Sequence, residues 1–218
     1  MVKQVRAART RQALIRAAAE AFAHDGYARA SLPAISGRAG VSAGALHFHF
    51  PSKDALAREI EGAAAYSVRE LAECARSTET GAAGTLVAAI RRLVVALAAD
   101  PVVRAGFVLS ADPARHNGTA VLDTWHDWVR DTARQAHEAG EFRDGVSPEG
   151  VTTVVVAATV GFERLGGPDR DPESEDRMVE FWTCLLPRLA TAPAAGPARL
   201  PGGEPVVGRG AENSMAGL

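Results

Sequence analysis

The chain has 218 residues, with 24 Lys and Arg against 26 Asp and Glu, and only 6% of it is aromatic. That length suffices for one or two domains with a sizeable core. The Ala- and Arg-rich composition, with almost no alternating β-branched runs, points to an all-α fold. The formal charge of −2 is a poor match to a polyanion partner until the chain is divided. Residues 1–60 hold nine Lys and Arg against four Asp and Glu, a balance of +5, and the remainder holds 15 against 22, a balance of −7. A nucleic-acid face is therefore expected at the N-terminal end and a different task in the rest.

The first helix is expected from about Ala8 to His24, with Leu14, Ala17, Ala18, Ala21 and Phe22 as its apolar stripe. Gly26 ends it, and Tyr27 packs back on it. Ser31 then caps a short helix carrying Leu32, Ile35 and Ala39, which Gly40 closes in the left-handed region. Ser42 caps a third helix that turns Leu46 and Phe50 inward. Pro51 stops it, because the residue before a proline is pushed out of the helical region. Two helices across so short a turn make a helix-turn-helix, whose second helix enters the major groove. Ser52 opens a long connecting helix to about Arg76, after which Gly81 and Gly84 mark a break. Further helices are expected over Leu86 to Leu97, from Asp100-Pro101, over Thr119 to Ala139, and from Ser147-Pro148 and Asp171-Pro172, with Pro187 kinking or ending the last. The acidic run from Asp169 to Asp176 reads as carboxylates complementing a helix N-terminus. Beyond Pro193 the Pro/Gly/Ala-rich chain is expected to be disordered.

These elements divide the chain into a helix-turn-helix DNA-binding domain over residues 1–52, a helical ligand-binding and dimerisation domain over 53–192, and a tail over 193–218. Cys74 and Cys184 have no metal-ligand or redox spacing and are expected to be buried free thiols of a reducing cytoplasm. No signal peptide is evident, and the longest apolar stretch, about Val151 to Phe162, falls short of the roughly 20 residues a span needs. A soluble cytoplasmic protein with no membrane partner is expected. No catalytic Ser/His/Asp order, nucleophile elbow, P-loop or dinucleotide fingerprint occurs, so neither an enzyme nor a cofactor is expected.

The candidate DNA contacts are Ser31, Ser42, Ala43, Gly44, His47, His49 and Lys53, with Arg6, Arg11 and Arg38 among the surrounding arginines Arg9 and Arg29. Lys53 opposes the dipole of its own helix, an arrangement that a phosphate lying there would turn favourable. Ser42 and the free N–H groups behind it offer a similar anion site. Gly44 lets the duplex approach closely. His47 and His49 form an HxH pair, but positions i and i+2 point to nearly opposite sides of a helix and cannot share one metal ion. Phosphate contact for His49, and phosphate or base contact for His47, are the favoured roles. The helix offers few long side chains for reading bases.

Ser31, Ile35, Ala39-Gly40-Val41-Ser42, Gly44, Leu46, His49-Phe50, Ser52-Lys53 and Leu56 resemble the DNA-binding signature of TetR-type transcriptional repressors. Lys3-Gln4-Val5-Arg6-Ala7, the run Gly44 to Phe50, Asp127-Trp128-Val129, and Phe181-Trp182 with Leu185-Leu186-Pro187 are similar to the γ-butyrolactone receptors of actinomycetes. The resemblance implies an all-α homodimer paired through its last two helices, with a ligand cavity in the C-terminal domain. It also implies repression of antibiotic-biosynthesis genes at a pseudo-palindromic double-stranded operator, relieved by a small signal molecule. A tryptophan matching Trp128 lines that cavity in the subfamily, and the expected pocket set is Trp128 with Trp125, Phe107, Val160 and Glu163. An ordinary core role for Trp128 stays open, with Trp125 three residues earlier as the confounder.

Four positions, in three places, depart from the subfamily pattern. His47 stands where a tyrosine is usual and Ala43 where a lysine is common, which affects operator preference. Val160-Gly161-Phe162-Glu163 replaces a Thr-Gly-x-Gln pattern, which removes a hydroxyl and adds a carboxylate that is costly to bury unpaired. The expected ligand is therefore a butenolide, furan or antibiotic-like compound and not a standard γ-butyrolactone. The alternative is a DNA-binding regulator without a small-molecule ligand, acting as an activator or through a protein partner.

Overall fold

A computed structural model describes residues 2–112, 115, 120–165 and 172–189. The tail expected from Pro193 and the start of the acidic run lie outside these residues. The described elements are helices: α1 (Val2–Arg29), α2 (Leu32–Arg38), α3 (Ala43–His49), α4 (Lys53–Thr78), α5 (Ala82–Ala99), α6 (Pro101–Ser110), α7 (Ala120–Glu138), α8 (Pro148–Leu165) and α9 (Pro172–Leu189).

α1 begins two turns before the expected start. Its first residues are exposed on every side from Gln4 to Arg6, so they carry no apolar periodicity that could announce them. Gly26 interrupts α1 with φ 75° and ψ 167°, a conformation that only glycine adopts at low cost. The serine caps form as expected. Ser31, Ser42 and Ser52 each accept a hydrogen bond from the backbone N–H three residues ahead, at 3.3, 3.2 and 3.0 Å. Pro187 sits inside α9, in its last turn.

Two cores organise the molecule. The N-terminal one gathers Leu14, Ala18 and Phe22 of α1 around Ile35, Leu46 and Phe50. It does not stop at residue 52: Leu56, Ala57 and Ile60 of α4 and Ala105 and Leu109 of α6 complete it. The larger core begins at Ala64 on α4 and takes in α5, Val103 and Phe107 of α6, Trp125 and Val129 of α7, and Val151 and Val155 of α8. α6 thus presents Ala105 and Leu109, four residues apart, to one core and Val103 and Phe107, also four apart, to the other. It is a helix apolar on two faces because it lies between two packed bodies. Gly106 lets it cross α4 closely, since a Cβ there would overlap Ala64 Cβ and meet Val121 Cγ2 at 3.1 Å.

Two expectations are corrected. Cys74 and Cys184 are exposed, because each falls on the outward side of its helix. The chain also has a longer apolar helix than the stretch read near Val151: α5, over Ala82–Ala99, has the length and hydropathy of a span. Half of it is buried inside the fold, which accounts for the apolar run as core packing.

Candidate nucleic-acid interface and effector site

α3 is held from behind. Leu46 and Phe50 are buried, and Phe50 is extended (φ −137°, ψ 110°), as a residue before proline must be. Gly40, at φ 67°, turns the chain from α2 into α3, and the Val41 N–H donates to Ser36 O at 3.0 Å across that turn. Arg11 reinforces the mount. Its guanidinium carbon stands 5.3 Å from the centre of the Phe50 ring, and Nη2 pairs with Glu59 at 2.7 Å. Arg11 therefore joins α1 to α3 and α4 while remaining partly exposed.

The opposite side of α3 is open. Ser42, Ala43, Gly44, His47 and Phe48 are all exposed, and Phe48 keeps 82% of its surface in solvent. His49 is half-buried between Phe48 and Phe50, with ring centres 5.2 and 6.5 Å away. A Cβ on Gly44 would meet nothing nearer than Ser42 Oγ at 4.0 Å, so the fold itself does not require glycine there. Ser31 and Ser42 cap their helices with a lone pair, leaving each hydroxyl proton free to be donated outward. Arg6 and Arg38 are exposed on α1 and α2.

Lys53 is placed differently from its expected role. Its ammonium turns inward and donates to Tyr27 O, Ala28 O and Ala30 O at 2.8, 3.4 and 3.0 Å, and it lies 4.4 Å from the centre of the Tyr27 ring. The break at Gly26 exposes those carbonyls, and Lys53 collects them. That geometry makes it a clamp between α1 and α4, with its donors spent before any phosphate is reached.

In the larger core, Trp125 is fully buried and donates from Nε1 to Thr159 Oγ1 at 3.3 Å, and that hydroxyl donates on to Val155 O at 2.8 Å. Trp128 is only partly buried and stacks on Trp125 with ring centres 5.5 Å apart and planes within 12°. Phe107 is buried in the same core, Val160 is half-buried, and Glu163 is buried but not without a partner. Of the five expected pocket residues, Trp125 and Phe107 are thus packed as core, and Trp128 is the aromatic left partly exposed. A cleft of 580 Å³ lies elsewhere, along α4 and α5, lined by Tyr66, Leu71, Arg92 and Val103 among others.

The chain matches the family model for bacterial regulatory proteins of the tetR family over residues 14–60, the span from α1 into α4. It is 31% identical over 194 residues to the A-factor receptor protein of Streptomyces griseus, covering 87% of this chain and 67% of that protein. The chain belongs to the TetR family of bacterial regulatory proteins. Within it, CprB from Streptomyces coelicolor, solved in complex with its biological operator sequence, is 28% identical with a TM-score of 0.70, covering 85% of this chain and 90% of that one. An ArpA-like γ-butyrolactone receptor is 26% identical with a TM-score of 0.71, covering 86% and 91%.

TetR-family regulators bind operator DNA and are not enzymes. That places the open side of α3 as the surface to examine in this member. Two residues, one on that surface and one in the core, add to the expected set. Phe48 is not among the expected contacts, although its phase, two residues from both Leu46 and Phe50, already points it outward. Thr159 lies one residue before the departed Thr-Gly-x-Gln pattern, and only the packing of α8 on α7 reveals that its hydroxyl serves Trp125.

Proposed function

We propose that this TetR-family protein is a ligand-released repressor of secondary-metabolite genes, acting in the cytoplasm as a homodimer on a pseudo-palindromic operator. Two copies of α3 would sit about one turn of DNA, ~34 Å, apart. Arg6, Arg38, Ser31, Ser42 and His49 supply phosphate contacts that set register and salt dependence, and Gly44 and Ala43 allow close approach. His47 and Phe48 face the base edges, where an apolar ring suits a thymine methyl group. Arg11 and Lys53 support this surface from within.

The observation that carries the ligand-gated reading is the double duty of α6, whose alternate faces are buried in the N-terminal core and in the core around Trp125. A ligand that repacks one core must disturb the other. One that fits only the DNA-incompetent packing shifts the population towards it, and coupling of about 1–3 kcal/mol weakens operator binding ~5–150-fold. The partly buried Trp128, stacked on a fixed Trp125, offers the aromatic wall of such a site. The names of the A-factor receptor and the γ-butyrolactone receptor support a small lactone-like signal as the class. The departures at Val160 and Glu163 favour a butenolide, furan or antibiotic-like compound over an authentic γ-butyrolactone.

The test is a titration of labelled DNA from upstream of this gene with purified protein, with and without organic extract of the producing culture. Specific binding released by extract supports the reading. Specific binding untouched by both extract and authentic γ-butyrolactones assigns the chain instead to regulators without a small-molecule effector. Tighter release by γ-butyrolactones than by butenolides overturns the ligand class alone.

A further inference from the structure

The junction between the two cores holds a buried ion pair that neither surface uses. Arg115, in the connection from α6 to α7, donates from Nη2 to Glu61 Oε2 on α4 at 2.8 Å, and both side chains are only 4% exposed. The same nitrogen lies 3.6 Å from Asp54 Oδ1 in the first turn of α4. The guanidinium carbon stands 4.8 Å from the centre of the Tyr27 ring, just after the Gly26 break in α1. One side chain from the effector half thus grips the end of α1 and two turns of α4. Those segments support the helix-turn-helix: Lys53 ties Tyr27, Ala28 and Ala30 to the start of α4, Ser31 follows immediately, and α3 ends just before.

The other end of this grip leads to the candidate effector site. The Arg115 N–H donates to Asp112 O at 3.0 Å, and Arg164 on α8 donates from Nη2 to Ala111 O at 2.8 Å. Arg164 adjoins Glu163, and Arg115 precedes the helix that carries Trp125 and Trp128. A buried ion pair is a poor source of net stability, because desolvation offsets most of its attraction. Here Glu61 Oε1 and Arg115 Nε and Nη1 are buried without a hydrogen-bond partner among the described residues, which lowers its worth further. Placement, not stability, accounts for the pair.

We propose that Arg115 is a positioning residue for operator binding, transmitting the packing of the effector half to the helix-turn-helix through Glu61 and Tyr27. The proposal rests on the DNA-binding reading, so its test includes a readout that needs no DNA. Full-length wild type, R115A, R115K and the charge-free double variant E61M/R115M are compared by amide hydrogen exchange, thermal melting and titration of DNA from upstream of this gene. The double variant removes the pair without leaving an orphan buried charge, so it is expected to fold with an unchanged or higher Tm. In it and in R115A, exchange at the end of α1 and in α3 rises roughly tenfold while α5 and α7 stay protected. DNA binding weakens about tenfold, with R115K intermediate because it keeps the charge but not the planar fork. Stability and affinity moving apart is a result that a merely structural residue does not give. Wild-type exchange at α1 and α3 in the double variant, with wild-type DNA binding, overturns the proposal. The exchange effect appearing in a protein that does not bind this DNA specifically upholds the coupling and sinks instead the upstream region of this gene as its operator.

Discussion

The two ends of this molecule use aromatic side chains in opposite ways. At the N-terminal end Phe48 stands in solvent on a helix whose other face is locked by Leu46 and Phe50. In the C-terminal half Trp125 is sealed in the core and its neighbour Trp128 stacks on it while only partly buried. In the proposed function, Phe48 on its rigid mount meets the DNA from outside. Trp128, partly buried on a buried ring, is the residue we propose responds to what packs against it. In that proposal the first belongs to a reading surface and the second to a sensing one. Between them, α4 and α6 contribute to both cores.

This contrast can be broken at either end or in the middle. Trp125→Ala should cost the most, about 3–5 kcal/mol of stability by loss of a fully buried ring, seen as a lower midpoint in urea. Trp128→Ala should cost much less, leave operator binding in place and remove release by the effector. Loss of operator binding together with folding would return Trp128 to the core. In the middle, Gly106→Ala forces α6 off α4 and should destabilise by about 1–3 kcal/mol. Because α6 belongs to both cores, that loss should appear as faster amide exchange in α1 as well as in α7.

Phe48→Ala should sharpen the distinction. Its thermal midpoint should match wild type, while operator affinity falls about tenfold, or ~1.4 kcal/mol. A shift in sequence preference at one base position would assign the ring to base reading, and a uniform loss would assign it to backbone contact.

The smallest effect concerns pH. Burial pushes the Glu61 carboxyl above the usual carboxylate range, and the Arg115 guanidinium only partly offsets it. The native state therefore holds that proton more tightly than the unfolded chain. The stabilisation from the protonated form is present below the ordinary value of 4.5 and is lost as pH rises through the raised native value. E61Q should remove that decline from the stability profile. Asp25 works in the opposite sense. His24 donates a hydrogen bond that holds its carboxyl below the ordinary 3.8, so this contribution is lost as pH falls.

The N-terminal end was legible because its determinants are local. Serine caps, Gly40 and Pro51 act within a few residues of where they stand, and so the phase of α3 could be read directly. Lys53 escaped for the complementary reason. Its carbonyl partners lie 23 to 26 residues away and become available only because Gly26 breaks α1. In the C-terminal half the helices were readable from their caps and prolines, but their contacts were not. Nothing near Trp125 in sequence announces Thr159, and nothing near Arg115 announces Glu61, 54 residues earlier. Nor did composition locate the Cys74 and Cys184 thiols, whose exposure depends on which side of α4 and α9 faces the packing.

A ligand-released repressor requires reciprocity between its two ends. Effector fractionated from the producing culture would be titrated against tryptophan emission, once with free protein and once with protein saturated by operator DNA. Linkage requires operator DNA to weaken effector binding by the same factor, ~5–150-fold, by which effector weakens operator binding. Equal effector affinity in the free and DNA-bound protein would mean that the two ends are not coupled, and the ligand-released repressor would be the wrong description.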